Sequence, residues 1–314
     1  MAYFTLALFL LAVAALWAGV LVFFMARHLL APRRMTEARA FVRMNRTSPA
    51  DLGLAFVPMG FTVNDARSRG KIRLAAWWLP AGGAATRTAV VVHGYGDAKI
   101  GGIAWAPTWH ALGWNVLAVD LRAHGESEGT QSSAGFYERD DLNQIIDALR
   151  AEKPVAARSV TLFGVSLGAA CVSAVAAGRD DLAAVVLESP YADYRAAVRV
   201  HVRRSGFPLV SLTNLICRAA EWLAGADFEP VRPDVTMPAV AAPLLVIAGE
   251  ADFLIDIPAL AEAIGHRPAD RISEFAVFPD VPHVMALAVD PAGYHQRLAS
   301  FLDAALAAQV DRTL

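Results

Sequence analysis

The chain is poor in cysteine, in net charge and in charged residues generally, and each shortage narrows what it can be. Two cysteines occur in 314 residues, Cys171 and Cys217. Two thiols this far apart form neither a disulfide framework nor a metal-ligand pattern. Cys171, inside the apolar run LGAACVSAVAAG, reads as a small buried hydrophobe. Low cysteine use is compatible with a reducing compartment. Charged side chains make up 18% of the chain, and 28 basic groups nearly balance 30 acidic ones. So balanced a surface offers no global attraction for a nucleic acid, and none is expected as a partner. Disorder is excluded too, because a hydrophobic content of 56% supplies ample core. Internal repeats and low-complexity runs are also missing.

The most local absence lies at the N-terminus. From Met1 to Ala26 there is no charged side chain. About 20 apolar residues suffice for a helix to span a bilayer. A cleaved signal peptide would carry a basic start, a shorter apolar core and a small-x-small cleavage site. Here the start has no Lys or Arg and the run is longer. Residues 1–26 are therefore expected to form a retained transmembrane helix, 27–55 a basic juxtamembrane connector, and 56–314 the main domain. Arg27, Arg33, Arg34, Arg39, Arg43 and Arg46 all follow the apolar run. The bias of basic residues toward the cytoplasmic side then puts the main domain in the cytoplasm.

Beyond the connector, short β-rich runs alternate with helical patterns. Strands are expected at 56–63, 72–79, 88–93, 116–120, 159–163, 184–188, 244–248 and 272–278. Runs such as AVVV, NVLAV and AVVLE show no polar alternation, as strands of a parallel sheet covered on both faces should not. The first two strands read as an antiparallel hairpin. Helices are expected at 105–112, 135–152, 167–177, 258–264 and 291–309, which gives an α/β domain with a doubly wound sheet. The connection 191–243 is too long for a simple crossover and reads as a helical cap.

Residues 164–168 read Gly-Val-Ser-Leu-Gly, with a β run before and a helical run after. That is the setting of a nucleophile elbow, a strained strand-to-helix turn that exposes its serine. Gly164 and Gly168 would be small because strand and helix crowd there. A serine hydroxyl needs a base, and the base needs an orienting acid. In this arrangement the chain order is serine, acid, histidine. Asp252 stands just past the run LLVIAG, where loops of an open α/β sheet gather. Glu250 is too close to the strand, and Asp256 suits a helix N-cap. His283 follows the last strand in FPDVPHVMAL. Upstream, TAVVVHGYGDAK runs a buried strand into a loop able to supply a second oxyanion donor. The backbones of Tyr95 and Leu167 are assigned as donors, with Gly94 and Gly96 easing the turn and His93 in a supporting role. No metal or organic cofactor is expected.

Taken together, HGYGD (93–97), VDLRAHGESEG (119–129), GVSLG (164–168), GEAD (249–252) and PH (282–283) resemble the α/β-hydrolase superfamily, in its serine aminopeptidase-like and membrane-anchored branches. The resemblance implies a mostly parallel eight-stranded sheet with flanking helices, a helical cap, and hydrolysis through Ser166, His283 and Asp252. It gives Asp120, Arg122, Gly125 and Ser127 structural roles. Glu188 holds a place where some relatives carry the acid, and it is the reserve for Asp252. Pro282 departs from the usual residue before the histidine. The superfamily's substrates include esters, thioesters, lipids and peptides. A carboxylic ester or related acyl substrate, lipid or small molecule, is the leading expectation. An aminopeptidase would need a cap carboxylate for the substrate amine, such as Glu221 or Asp227. A third reading is a non-catalytic membrane-tethered module. Arg195, Arg199, Arg203 and Arg204 in the insert suit either anionic headgroups or a solvated helix face.

Overall fold

The apolar β-branched runs of the sequence lie side by side in one sheet. In the computed structural model, which describes residues 1–204, 206 and 210–313, the strands are β1 (Val57–Asp65), β2 (Gly70–Leu79), β3 (Arg87–Val92), β4 (Asn115–Val119), β5 (Ser159–Val165), β6 (Ala184–Glu188), β7 (Leu244–Gly249) and β8 (Ser273–Phe278). They pair in the order β1-β2-β4-β3-β5-β6-β7-β8. β1 and β2 form an antiparallel hairpin, β2 joins β4 antiparallel, and every later pairing is parallel. β4, β6 and β7 are buried at every residue, whereas the edge strand β1 is largely exposed. That is why the central strands show no alternation in sequence.

The helices are α1 (Ala2–Leu30), α2 (Glu37–Met44), α3 (Lys99–Gly102), α4 (Ala106–Ala111), α5 (Phe136–Glu152), α6 (Leu167–Ala176), α7 (Tyr194–Arg204), α8 (Thr213–Ala224), α9 (Pro233–Thr236), α10 (Ile257–Gly265), α11 (Ala286–Val289) and α12 (Pro291–Thr313). Successive strand residues point to opposite faces and so feed two cores. One joins Val90, Val92, Leu162 and Val246 to the stripe Leu142, Ile145, Ile146 and Leu149 of α5 and to the apolar α6. The other joins Val91, Phe163, Val186 and Ile247 to Trp105, Trp109 and the α12 residues Tyr294, Leu298 and Phe301. Burying each such large side chain contributes roughly 1.5–3 kcal/mol. Asp256 caps α10, accepting a hydrogen bond from the Ala259 N–H at 3.1 Å.

The juxtamembrane region is more firmly built into the domain than a connector would be. α1 runs 29 residues, past Ala26 to Leu30. It is long and apolar enough to cross a membrane, a property that anchors and signal sequences share. Val22, Ala26 and Leu30 recur at helical spacing and are buried against Ile216, Ala220 and Ala224 of α8 and against Phe228. The Arg34 guanidinium donates to the carbonyls of Gly125, Ser127 and Gly129 at 3.0, 2.5 and 2.8 Å. Met35 and Ala40 enter the second core.

The insert is helical and carries α7, α8 and α9. Arg195, Arg199 and Arg232 hold it together, and Arg204 ties it to the loop after β7. Arg195 bridges Glu221 and Glu229, Arg199 donates to Asn214 Oδ1, and Arg204 lies 3.9 Å over the Phe253 ring.

Candidate active site

β3 stands between β4 and β5, so the chain winds outward in both directions from it. Ligand crevices of open α/β sheets form at such switch points, outside the carboxyl ends of the strands. Here those ends deliver His93 after β3 and Ser166 after β5.

Ser166 has φ 53° and ψ −114° between the end of β5 and the start of α6. A positive φ in a non-glycine residue is strained, and surrounding structure has to hold it. Ser166 N–H donates to the Glu188 carbonyl at 2.9 Å. The flanking glycines are sterically required. A Cβ on Gly164 would lie 2.4 Å from the Gly168 carbonyl oxygen, and one on Gly168 would lie 2.2 Å from that of Val92. As the first residue of α6, Leu167 has an N–H outside the helix's own ladder.

His283 reaches this serine from the loop after β8. Its Nε2 lies 3.0 Å from Ser166 Oγ, and its Nδ1 lies 2.6 Å from Asp252 Oδ2. With Nδ1–H donated to the carboxylate, Nε2 is left as the acceptor facing the serine hydroxyl. The Asp252 side chain is fully buried, and its other oxygen accepts from the Leu254 N–H at 2.9 Å. The histidine loop is itself strained: Val284, a β-branched residue, has φ 59°. Ser189 Oγ holds it there by accepting from the Val284 N–H at 3.1 Å.

His93 is buried, donates from Nδ1 to the Gly94 carbonyl at 2.7 Å and accepts at Nε2 from the Leu121 N–H at 3.1 Å. Burial and the neighbouring His124 hold this imidazole well below its ordinary pKa, so it is neutral. It fixes a turn in which Asp97 N–H donates to the Gly94 carbonyl and Gly96 takes φ +71°, the geometry that favours glycine at the third position. A Cβ on Gly94 would sit 3.3 Å from Ser166 Cβ, so this backbone lies directly against the serine. Tyr95 is second in the turn, where its N–H is outside the closing bond.

Glu188 is elsewhere. The alternation of β6 puts its side chain on the face of Val186, and neither nitrogen of His283 is bonded to it. There its Oε2 accepts from Trp105 Nε1 at 2.9 Å and Tyr294 Oη at 2.7 Å. Burial pushes its carboxyl up to about 7. Below the site, Asp120 accepts from Lys99 Nζ at 2.7 Å, Arg122 forks onto Asp141 at 2.7 Å, and Ser127 Oγ donates to the Asp120 carbonyl at 2.7 Å.

Ser166, His283 and Tyr95 border a cavity of roughly 600 Å³, walled by Val198, His201 and Val202 of α7 and by Met25, His28 and Leu29 of α1. That size suits a small organic ligand. Glu221 and Asp227 do not line it: Glu221 is held by Arg195 and the Phe228 N–H, and Asp227 accepts from the Glu229 N–H. Ser189 and the α1 residues escaped sequence reasoning. The 22, 26, 30 spacing, carried past Arg27 and His28, was the signal for the second.

The fold is the α/β-hydrolase fold, with a mostly parallel eight-stranded sheet and flanking helices. Residues 83–225 match the family model described as "Serine aminopeptidase, S33". The chain is 29% identical over 249 residues to the uncharacterized protein YfhR of Escherichia coli O157:H7, covering 74% of this chain and 78% of that one. It is 26% identical over 222 residues to the uncharacterized protein YqkD of Bacillus subtilis, covering 69% and 71%. The Pyrococcus furiosus esterase Pf2001 superposes with a TM-score of 0.72 at 23% identity, over 88% of this chain and 97% of that one. A membrane phospholipase A, described as a bacterial virulence factor, superposes with a TM-score of 0.56 at 21% identity, over 97% and 99%. At these identities the solved structures establish the fold.

Proposed function

We propose that this protein is a serine hydrolase that cleaves carboxylic esters of membrane-derived acyl substrates. The observation that carries the reading is the relay from Ser166 Oγ to His283 Nε2 at 3.0 Å and from His283 Nδ1 to Asp252 Oδ2 at 2.6 Å. His283 takes the serine proton as Oγ attacks the substrate carbonyl carbon. The tetrahedral oxyanion is held by the N–H groups of Tyr95 and Leu167, each donor worth about 3–4 kcal/mol in serine hydrolases. Asp252 fixes the imidazole tautomer and stabilises the imidazolium. His283 then protonates the departing alcohol, and water activated by the same imidazole releases the acid from Ser166. No step calls for a metal or an organic cofactor.

The choice of ester follows from the cavity and from the neighbours. The wall is largely apolar, with Leu29, Val198 and Val202 among its side chains. Two structural neighbours are described as an esterase and a membrane phospholipase A. α1 would keep the enzyme at the bilayer, and the arginines after the apolar run favour a domain on the cytoplasmic side. Among the described residues no carboxylate of the cap lines the cavity, which the aminopeptidase reading would need, and Glu221 is committed to Arg195.

The test is a series of p-nitrophenyl esters of rising chain length, presented to the full-length protein in detergent. Hydrolysis that is lost in Ser166→Ala, with amino-acid nitroanilides left intact, supports the proposal. A folded protein that cleaves the anilides and no ester overturns it.

A further inference from the structure

We infer that the last turns of α1 are a positioning element of the site, and that Tyr95 couples them to the oxyanion loop; this rests on the ester-hydrolase reading above. A helix ends with four carbonyls that lack intrahelical partners. In α1 those of Arg27, His28, Leu29 and Leu30 are all satisfied. Ala31 N–H caps Arg27 at 3.0 Å, within the segment itself. The other three draw on the hydrolase domain. Tyr95 Oη donates jointly to the His28 and Leu29 carbonyls, each at 3.0 Å, and Ser132 N–H donates to Leu30 at 2.8 Å.

Tyr95 is therefore a two-ended residue. Its backbone occupies the tight turn against Ser166, with its N–H offered to the oxyanion, and its hydroxyl grips the helix. Tyr95 is 43% exposed, and its hydroxyl bonds to the helix fix its outer end. Its edge meets His124, which in turn meets His93, with centroids 5.9 and 5.0 Å apart. Arg34, just beyond the helix, clasps the loop that carries His124. The helix end, the 124–129 loop and the 93–97 turn thus form one connected body.

The same turns of α1 form part of the cavity wall. Met25 and Leu29 line the cavity, while Val22, Ala26 and Leu30 hold that wall against α8. An acyl chain rising from the bilayer along α1 meets Leu29 before it meets Ser166. The substrate class this favours is a lipid ester drawn from the leaflet in which α1 ends.

Two variants of the full-length protein in detergent test the inference. Tyr95→Phe keeps the ring and backbone and removes one hydroxyl. Its kcat on p-nitrophenyl butyrate is expected to fall about tenfold or more, short of the 10²–10³-fold loss for deleting an oxyanion donor. KM is expected to stay within about twofold, because the hydroxyl faces the helix, and the rate of fluorophosphonate labelling should fall with kcat. Leu29→Trp fills the wall and keeps the backbone carbonyl that Tyr95 Oη meets. Its ratio of long-chain to butyrate activity is expected to drop about tenfold below the same ratio for the parent. An active parent whose kcat is unchanged by Tyr95→Phe overturns the coupling, and an unchanged chain-length profile in Leu29→Trp overturns the wall. A folded parent that hydrolyses no ester overturns the underlying reading, and the inference with it.

Discussion

Replacing Glu188 with glutamine separates a buried structural acid from a member of the catalytic relay. The carboxyl is fully buried and its pKa is raised from 4.5 to about 7. Burial is the cause, only partly offset by the hydrogen bonds from Tyr294 and Trp105. The native state therefore holds this proton more tightly than the unfolded chain does. The stability linked to it is present in full below about pH 4.5 and is lost as pH rises through about 7. A shift of this size corresponds to a loss on the order of 3 kcal/mol above pH 7, at 1.36 kcal/mol per pH unit. Glutamine mimics the neutral acid at every pH and keeps an oxygen for Trp105 and Tyr294. Thermal unfolding of both proteins from pH 5 to 8 should give nearly equal melting temperatures at pH 5 and a variant more stable by about 5 °C at pH 8. Asp97 and Asp141, also raised to about 6, are common to both proteins and cancel in the difference. Ester hydrolysis by the variant should stay within about threefold of the parent, because the carboxylate is bonded to Trp105 and Tyr294 and His283 pairs with Asp252 instead. A drop near 10⁴-fold, the size seen when a triad acid becomes an amide, would refute this reasoning. So would a melting-temperature difference that does not change with pH.

Three other substitutions probe the site. Asp252→Asn should leave folding intact and lower kcat about 10⁴-fold by favouring the wrong histidine tautomer, as steady-state kinetics would reveal. Gly168→Ala forces a Cβ to within 2.2 Å of the Val92 carbonyl oxygen; it should cost roughly 1–3 kcal/mol in urea unfolding and slow fluorophosphonate labelling. Ser189→Ala leaves the Val284 N–H without its side-chain acceptor; a loss of about 1–3 kcal/mol in stability is expected, with a fall in kcat as the adjacent His283 loosens.

Much of this architecture was legible because burial on both faces leaves uninterrupted apolar runs. NVLAV and AVVLE became β4 and β6 with boundaries shifted by a residue at most. The elbow was legible because Gly164 and Gly168 flank Ser166 where strand and helix backbones crowd together. The direction of Glu188 was not, since a strand buried on both sides carries no alternation to show which face its last residue takes. Its parity with Val186 emerges only once the two cores are assembled. The reach of α1 was hidden for another reason. Arg27 and His28 mark a change in polarity, but the helix continues because Ala26 and Leu30 find partners on α8, nearly two hundred residues away in sequence. Ser189 and Arg34 act through backbone atoms of distant loops, and such contacts leave no local pattern.

The central claim is that Ser166 is an activated nucleophile. Its most direct measurement is fluorophosphonate labelling of the full-length protein in detergent, with mass spectrometry to locate the adduct. The full chain is required, because residues 22–30 of α1 belong to the domain's packing and to the cavity wall. The account expects one adduct, on Ser166, absent in Ser166→Ala, strongly reduced in His283→Ala and retained in Glu188→Gln. A folded, unlabelled parent, or an adduct that survives Ser166→Ala, would contradict it.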